Sequence, residues 1–243
     1  MLNQYLGGQN PTQREPTGHD RRGNPTGWRT VPNPSYYNPD RGFYEDGPRN
    51  NGKTFSYWEG VDKAYMQYNG DFENEKAYYT NGSFTPKATA DARYAEGAEA
   101  GAELIAKLES GEISLQQGET IKIVGHSQGA AYAAGIASAL AKHSKYGNLI
   151  EFVDYLSPHQ PGDIKHPNGV KGRQFSTRED RISSKGLKSW LFGNSKWARI
   201  PGTEMGIDRQ DHPGEYHGHM IDSWLDDLIN YWRNLGIVVT VIE

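Results

Sequence analysis

The residues best suited to chemistry in this chain form a short run, Gly125-His126-Ser127-Gln128-Gly129, and the chemistry they suit is nucleophilic attack by a serine hydroxyl. An apolar stretch, Thr120-Ile121-Lys122-Ile123-Val124, leads straight into the run, and an Ala-rich stretch follows it. A serine on so sharp a strand-to-helix turn holds a strained backbone and projects above the strand end. Its neighbours two positions away must be small, and Gly125 and Gly129 meet that need. Ala130, Ala131, Ala133 and Ala134 let the helix approach the strand closely. The amide of Gln128 then falls in the first helical turn, where unpaired N–H groups and the dipole favour negative charge. That is half of an oxyanion hole. A serine hydroxyl is a poor nucleophile near neutral pH, so a base and an orienting carboxylate are needed from elsewhere in the chain.

The flanking pattern supplies elements to position such groups. Lys76-Ala77-Tyr78-Tyr79-Thr80 reads as a strand and Asn81-Gly82-Ser83 as a turn. Ala88 to Leu108 carries apolar residues at helical spacing, with Ser110-Gly111 as a stop. Residues 120–124 read as a buried strand and Ala130 to His143 as a helix. Leu149 to Leu156 and Arg173 to Thr177 read as further strands. Met220 to Asn234 is an amphipathic helix, and Ile237 to Ile242 a last β-branched strand. This alternation predicts an α/β fold: a mostly parallel central sheet with helices on both faces. Ligands bind such sheets beyond the carboxyl ends of the strands. Residues 1–60 differ. Asn10-Pro11, Asn24-Pro25, Asn33-Pro34 and Asn38-Pro39 are turn-forming pairs, and aliphatic residues are few. They read as an irregular Gly/Pro/Asn-rich arm or linker, with residues 61–243 as the catalytic domain.

Composition narrows the classes of function. The chain has 243 residues, enough for one large domain or two small ones. A net charge of −4 gives no reason to expect nucleic acid as a partner. There is no cysteine, which excludes disulfides, thiolate catalysis and Cys-based zinc sites. No apolar run approaches the ~18 residues of a membrane span. Met1-Leu2-Asn3-Gln4-Tyr5 lacks a basic segment followed by an apolar core, so no signal peptide is expected.

Gly125-His126-Ser127-Gln128-Gly129-Ala130-Ala131 resembles the nucleophile elbow of the class 3 (fungal-type) lipases and related α/β-hydrolases, which usually reads G-H-S-L-G-G-A. Leu156-Ser157-Pro158-His159-Gln160-Pro161-Gly162 is similar to the family's G-S-P-type strand end. Ser176-Thr177-Arg178-Glu179-Asp180-Arg181-Ile182 resembles its acid-bearing segment. The similarity spans roughly residues 75 to 225. Gln128 and Ala130 depart from the commonest pattern, and the arm matches nothing in it. The resemblance implies an α/β-hydrolase-like domain, and no cofactor or metal requirement is evident in the sequence.

In such hydrolases the chain order is serine, then acid, then histidine. Asp180 follows the strand Arg173–Thr177 and is the favoured acid. Asp163, after the Pro158–Gly162 turn, is the alternative, while Asp154 lies inside its strand, where its side chain points along a face. The base should precede the last helix. His219 is favoured because it sits at the helix start, with His217 as the alternative. Two histidines one residue apart could instead ligate a metal, but no acidic set in the neighbouring sequence supports that. The second oxyanion amide is expected from Gly82 or Ser83, in the loop after an earlier strand.

Between acid and base, residues 183–201 interleave Lys185, Lys188, Lys196 and Arg199 with Trp190, Leu191, Phe192, Trp197 and Ile200. Amines and indoles together suit a lipid interface, so this segment is a candidate flap touching a membrane surface. The implied activity is that of a serine esterase or lipase acting on a lipid or phospholipid ester. The resemblance extends to small lipase domains at the C-termini of bacterial effectors. It therefore also implies a toxin role, with an upstream carrier or cognate inhibitor and signal-independent secretion. A non-catalytic binding module on the same scaffold is the remaining alternative.

Overall fold

The computed structural model describes residues 2–3, 12–19, 25–32, 37–38, 43–44, 55–70, 77–82, 89–180, 182, 198–213 and 215–239. Its strands are β1 (Leu2–Asn3), β2 (Thr12–His19), β3 (Pro25–Pro32), β4 (Tyr37–Asn38), β5 (Phe43–Tyr44) and β6 (Phe55–Ser56). They continue with β7 (Thr80–Asn81), β8 (Ile121–His126), β9 (Ile150–Leu156), β10 (Gly172–Thr177) and β11 (Glu204–Arg209). The α-helices are α1 (Val61–Met66), α2 (Ala90–Ser110), α3 (Gly129–Ala141) and α4 (Leu225–Asn234).

The fold is α/β. Four parallel strands, β8 to β11, form the body of a sheet ordered β11-β10-β9-β8-β1-β7, which the two-residue pieces β1 and β7 extend. Successive strand residues point to opposite faces. Ile123, Val153 and Tyr155 therefore pack with Ala130, Ala134, Ile136 and Leu140 of α3 and Leu108 of α2. Val124, Phe152, Leu156 and Phe175 pack on the other face with α1, Trp224 and the Leu228–Trp232 stripe of α4. Trp58, fully buried, belongs to this second layer, so the packed unit reaches upstream of α1.

Local chemistry explains the helix ends. The Thr89 side chain accepts from the Ala92 amide at the start of α2, and Gly111 ends it at φ 77°. The helices α2 and α3 cross where glycines face each other's backbone: a Cβ on Gly135 would stand 2.7 Å from the Ala98 nitrogen.

Several boundaries differ from the sequence reading. Residues 77–79 carry no strand pairing, and β7 begins only at Thr80. The amphipathic stretch from Met220 opens with a 3-10 turn, Asp222–Trp224, before α4. The expected final strand is not formed over residues 237–239, and residues 240–242 lie outside the described residues. Here Ile237 and Val239 pack on the second layer, which satisfies their apolar side chains without a ladder. The strand β11 was not expected; its residues alternate weakly and are only half-buried, so its sequence shows no clear period. Within the first 60 residues, β2 and β3 form an antiparallel hairpin and β4 to β6 a second small sheet. Among the described residues, no helix is long and apolar enough to cross a membrane.

Candidate active site

The strand β8 ends at His126, and the chain turns at once into α3. Ser127 takes up the turn with φ 55°, a left-handed value that L-residues avoid. Its amide donates to the Leu156 carbonyl at 2.9 Å, and its carbonyl accepts from the amides of His159 at 3.0 Å and Ala130 at 3.2 Å. These bonds fix the strained residue between the ends of β8 and β9. The need for glycine at position 125 is steric: a Cβ there would lie 2.6 Å from the Gly129 carbonyl oxygen and 2.7 Å from the Ala133 methyl.

Ser127, His219 and Asp180 form one hydrogen-bonded chain. The Ser127 hydroxyl lies 3.0 Å from His219 Nε2, and His219 Nδ1 lies 2.7 Å from Asp180 Oδ2. A carboxylate only accepts, so Nδ1 carries the proton and Nε2 is left free to receive one from the serine. All three residues are buried. Asp180 closes a turn after β10, with its amide on the Thr177 carbonyl and its Oδ1 accepting from the Ile182 amide at 2.8 Å. The other two carboxylates considered lie elsewhere. Asp154 points onto the α1/α4 face, where Arg173 binds it through Nε at 2.7 Å and Nη2 at 2.8 Å and the Tyr65 hydroxyl donates at 2.7 Å. Asp163 is exposed at the end of a 3-10 turn, Pro161–Asp163.

His219 follows an unusual turn. Tyr216, His217 and Gly218 are all left-handed, at φ 56°, 52° and 77°. Arg209, at the end of β11, holds this turn. Its Nη2 donates to the Gly218 carbonyl at 2.8 Å, its Nη1 to the Ser223 carbonyl at 2.8 Å and its Nε to Thr177 Oγ1 at 2.6 Å. The guanidinium also pairs with Asp227 and stacks 3.7 Å over the Trp224 ring. The same turn carries His217 outward, where it is half-exposed and 3.0 Å from Asp211. Among the described residues, Glu179, Asp211 and His217 bring ligand atoms within 4.8 Å of one another. A cation could be held there, on solvent-facing groups; the fold thus gives His217 the acidic neighbours that the sequence did not show, and His219 is not among them.

Of the oxyanion candidates, Gln128 follows the serine at the N-terminus of α3. Gly82 is buried and docks on α3: a Cβ there would lie 2.8 Å from the Tyr132 ring. Its carbonyl accepts from the buried Arg93. Ser83 lies outside the described residues, as does residues 183–197 of the candidate flap. The apolar hollow lined by Leu104, Leu108, Ile121 and Ile123 lies at the opposite end of β8 from the serine.

The supporting residues lie outside the sequence motifs or act through remote partners. His126 stands in the elbow run, but its partners Tyr57 and the His219 carbonyl lie 69 and 93 positions away, and nothing in the local sequence marks Arg209 or Tyr57. His126 is fully buried. Burial, with His219 beside it, pushes its pKa from 6.5 down to about 3. His159, next to Ser127, is also lowered by burial. No protein-family model matches the chain, and a search of curated proteins finds no match.

Proposed function

We propose that the protein is a serine hydrolase of the α/β-hydrolase type, an esterase or lipase acting on carboxylic esters. The observation that carries this reading is the chain Ser127–His219–Asp180, with the serine on a left-handed strand-to-helix turn. In the first step the Ser127 Oγ attacks the ester carbonyl while Nε2 of His219 takes the hydroxyl proton. Asp180, accepting from Nδ1–H, stabilises the imidazolium that forms. The oxyanion develops beside the Gln128 amide at the head of α3, where the dipole favours negative charge. Collapse expels the alcohol, which takes the proton from Nε2 and leaves an acyl-serine. Water then attacks that ester with His219 again as base, releasing the acid and restoring the serine.

A lipid or phospholipid ester fits the resemblance of the elbow to lipases. The test pairs a short p-nitrophenyl ester with a phospholipid panel, comparing wild type with Ser127→Ala. Loss of turnover by about 10³-fold or more in the variant is expected. A fluorophosphonate should label wild type at Ser127 and leave the variant unlabelled. Equal turnover in the two proteins would refute the reading.

A further inference from the structure

We propose that His126, held by Tyr57, is a positioning residue that fixes the main chain of His219 and thereby the reach of its imidazole to Ser127; this rests on the triad reading above.

The contacts define the arrangement. His126 Nε2 lies 2.7 Å from the carbonyl oxygen of His219, and His126 Nδ1 lies 2.5 Å from the Tyr57 hydroxyl. A carbonyl only accepts, so Nε2 must carry the proton. The Nδ1 lone pair is then free, and Tyr57 donates into it. Only one tautomer of a neutral ring satisfies both partners. Tyr57, His219 and Asp180 are the titratable groups near this ring; burial, then the His219 ring, lower its pKa to about 3 against the opposing pull of the His219 carbonyl and Asp180, so the ring is neutral near pH 7.

The placement explains what the contact does. His219 follows three left-handed residues, whose carbonyls cannot be satisfied by a regular ladder. Arg209 takes the carbonyl of Gly218, and His126 takes that of His219. Those two carbonyls lie in the peptide planes on either side of the His219 Cα. With both planes held, the Cα–Cβ direction is set, and Asp180 needs only to set the ring. His126 is also the residue before Ser127, so nucleophile and base are referenced to the same strand end. Geometry of this kind matters because a displacement of about 1 Å at the reacting groups can cost ~100-fold in rate.

A ring that merely fills space would tolerate an apolar ring of similar size without any effect on chemistry. The experiment compares wild type, His126→Phe, His126→Gln and Tyr57→Phe on a soluble p-nitrophenyl ester, with fluorophosphonate labelling rates and thermal melts alongside. His126→Phe should lower kcat about 10–100-fold with KM nearly unchanged. His126→Gln restores an N–H donor towards the His219 carbonyl and should recover most of that loss. Tyr57→Phe removes one hydroxyl and should lower kcat by roughly 3–10-fold. If His126→Phe does not fold, the other two variants decide. Variants that melt lower yet keep wild-type kcat and labelling rate overturn the proposal, as does a Gln variant no better than Phe. Wild type that neither turns over ester nor labels at Ser127 overturns the triad reading itself and the positioning role with it.

Discussion

At the scale of single residues, the two histidines near the end of the chain separate cleanly. His219 is buried between Ser127 and Asp180, whereas His217 is half-exposed and bonded to Asp211. We expect His219→Ala to lose roughly 10³–10⁴-fold in kcat/KM on a soluble ester, and His217→Ala to stay close to wild type. A comparable loss in both would assign a role to His217 that its contacts do not show. Asp180→Asn should behave like the base variant, because an amide at Oδ2 could present a donor to Nδ1 and reverse the tautomer. Retained activity in Asp180→Asn would point to Asp154 or Asp163, which the structure places against Arg173 and at the surface.

At the scale of elements, the site depends on how closely helices and strands approach. The pair α2 and α3 meets through Gly97 and Gly135, where an added methyl on either would press into the other helix's backbone. Gly135→Ala should therefore destabilise the fold by about 1–3 kcal/mol, read as a lowered midpoint in urea with the slope preserved. Because α3 begins next to Ser127, the same change should reduce fluorophosphonate labelling. Full stability in that variant would show that the two helices slide apart at no cost. The elbow was legible in the sequence for a related reason. A strand, a tight turn and a helix that must sit close together demand small residues in a fixed local order, and those demands are written within a few positions of Ser127. The strand β11 and the turn at Tyr216–Gly218 were not legible. One is a half-exposed edge strand with no strong period, and the other is held by Arg209 and not by its own residue types.

At the scale of the whole molecule, histidines that folding withdraws from water link stability to pH. His126 titrates near 6.5 when exposed, and in the fold burial and His219 hold it down to about 3. His159 and His166 are lowered in the same direction by burial. At His126 the unfolded chain therefore binds more protons than the fold across that window. Stability from His126 is whole above about pH 6.5 and is lost as the pH falls from there towards about 3, and His159 and His166 act in the same sense. Thermal melts from about pH 8 to pH 4 should be flat at first and then decline, with a shallower decline for His126→Gln. A midpoint that rises on acidification would contradict this account. By itself, the sequence determined the α/β alternation and the nucleophile candidate, because hydrophobic period and small-residue turns are properties of neighbouring positions. It also set the order of the candidate acid and base. Tertiary structure decided which histidine meets the serine, which carboxylate orients it and which groups hold it in place. Those contacts join residues 92 and 39 positions apart, so they exist only once the sheet brings its strand ends together.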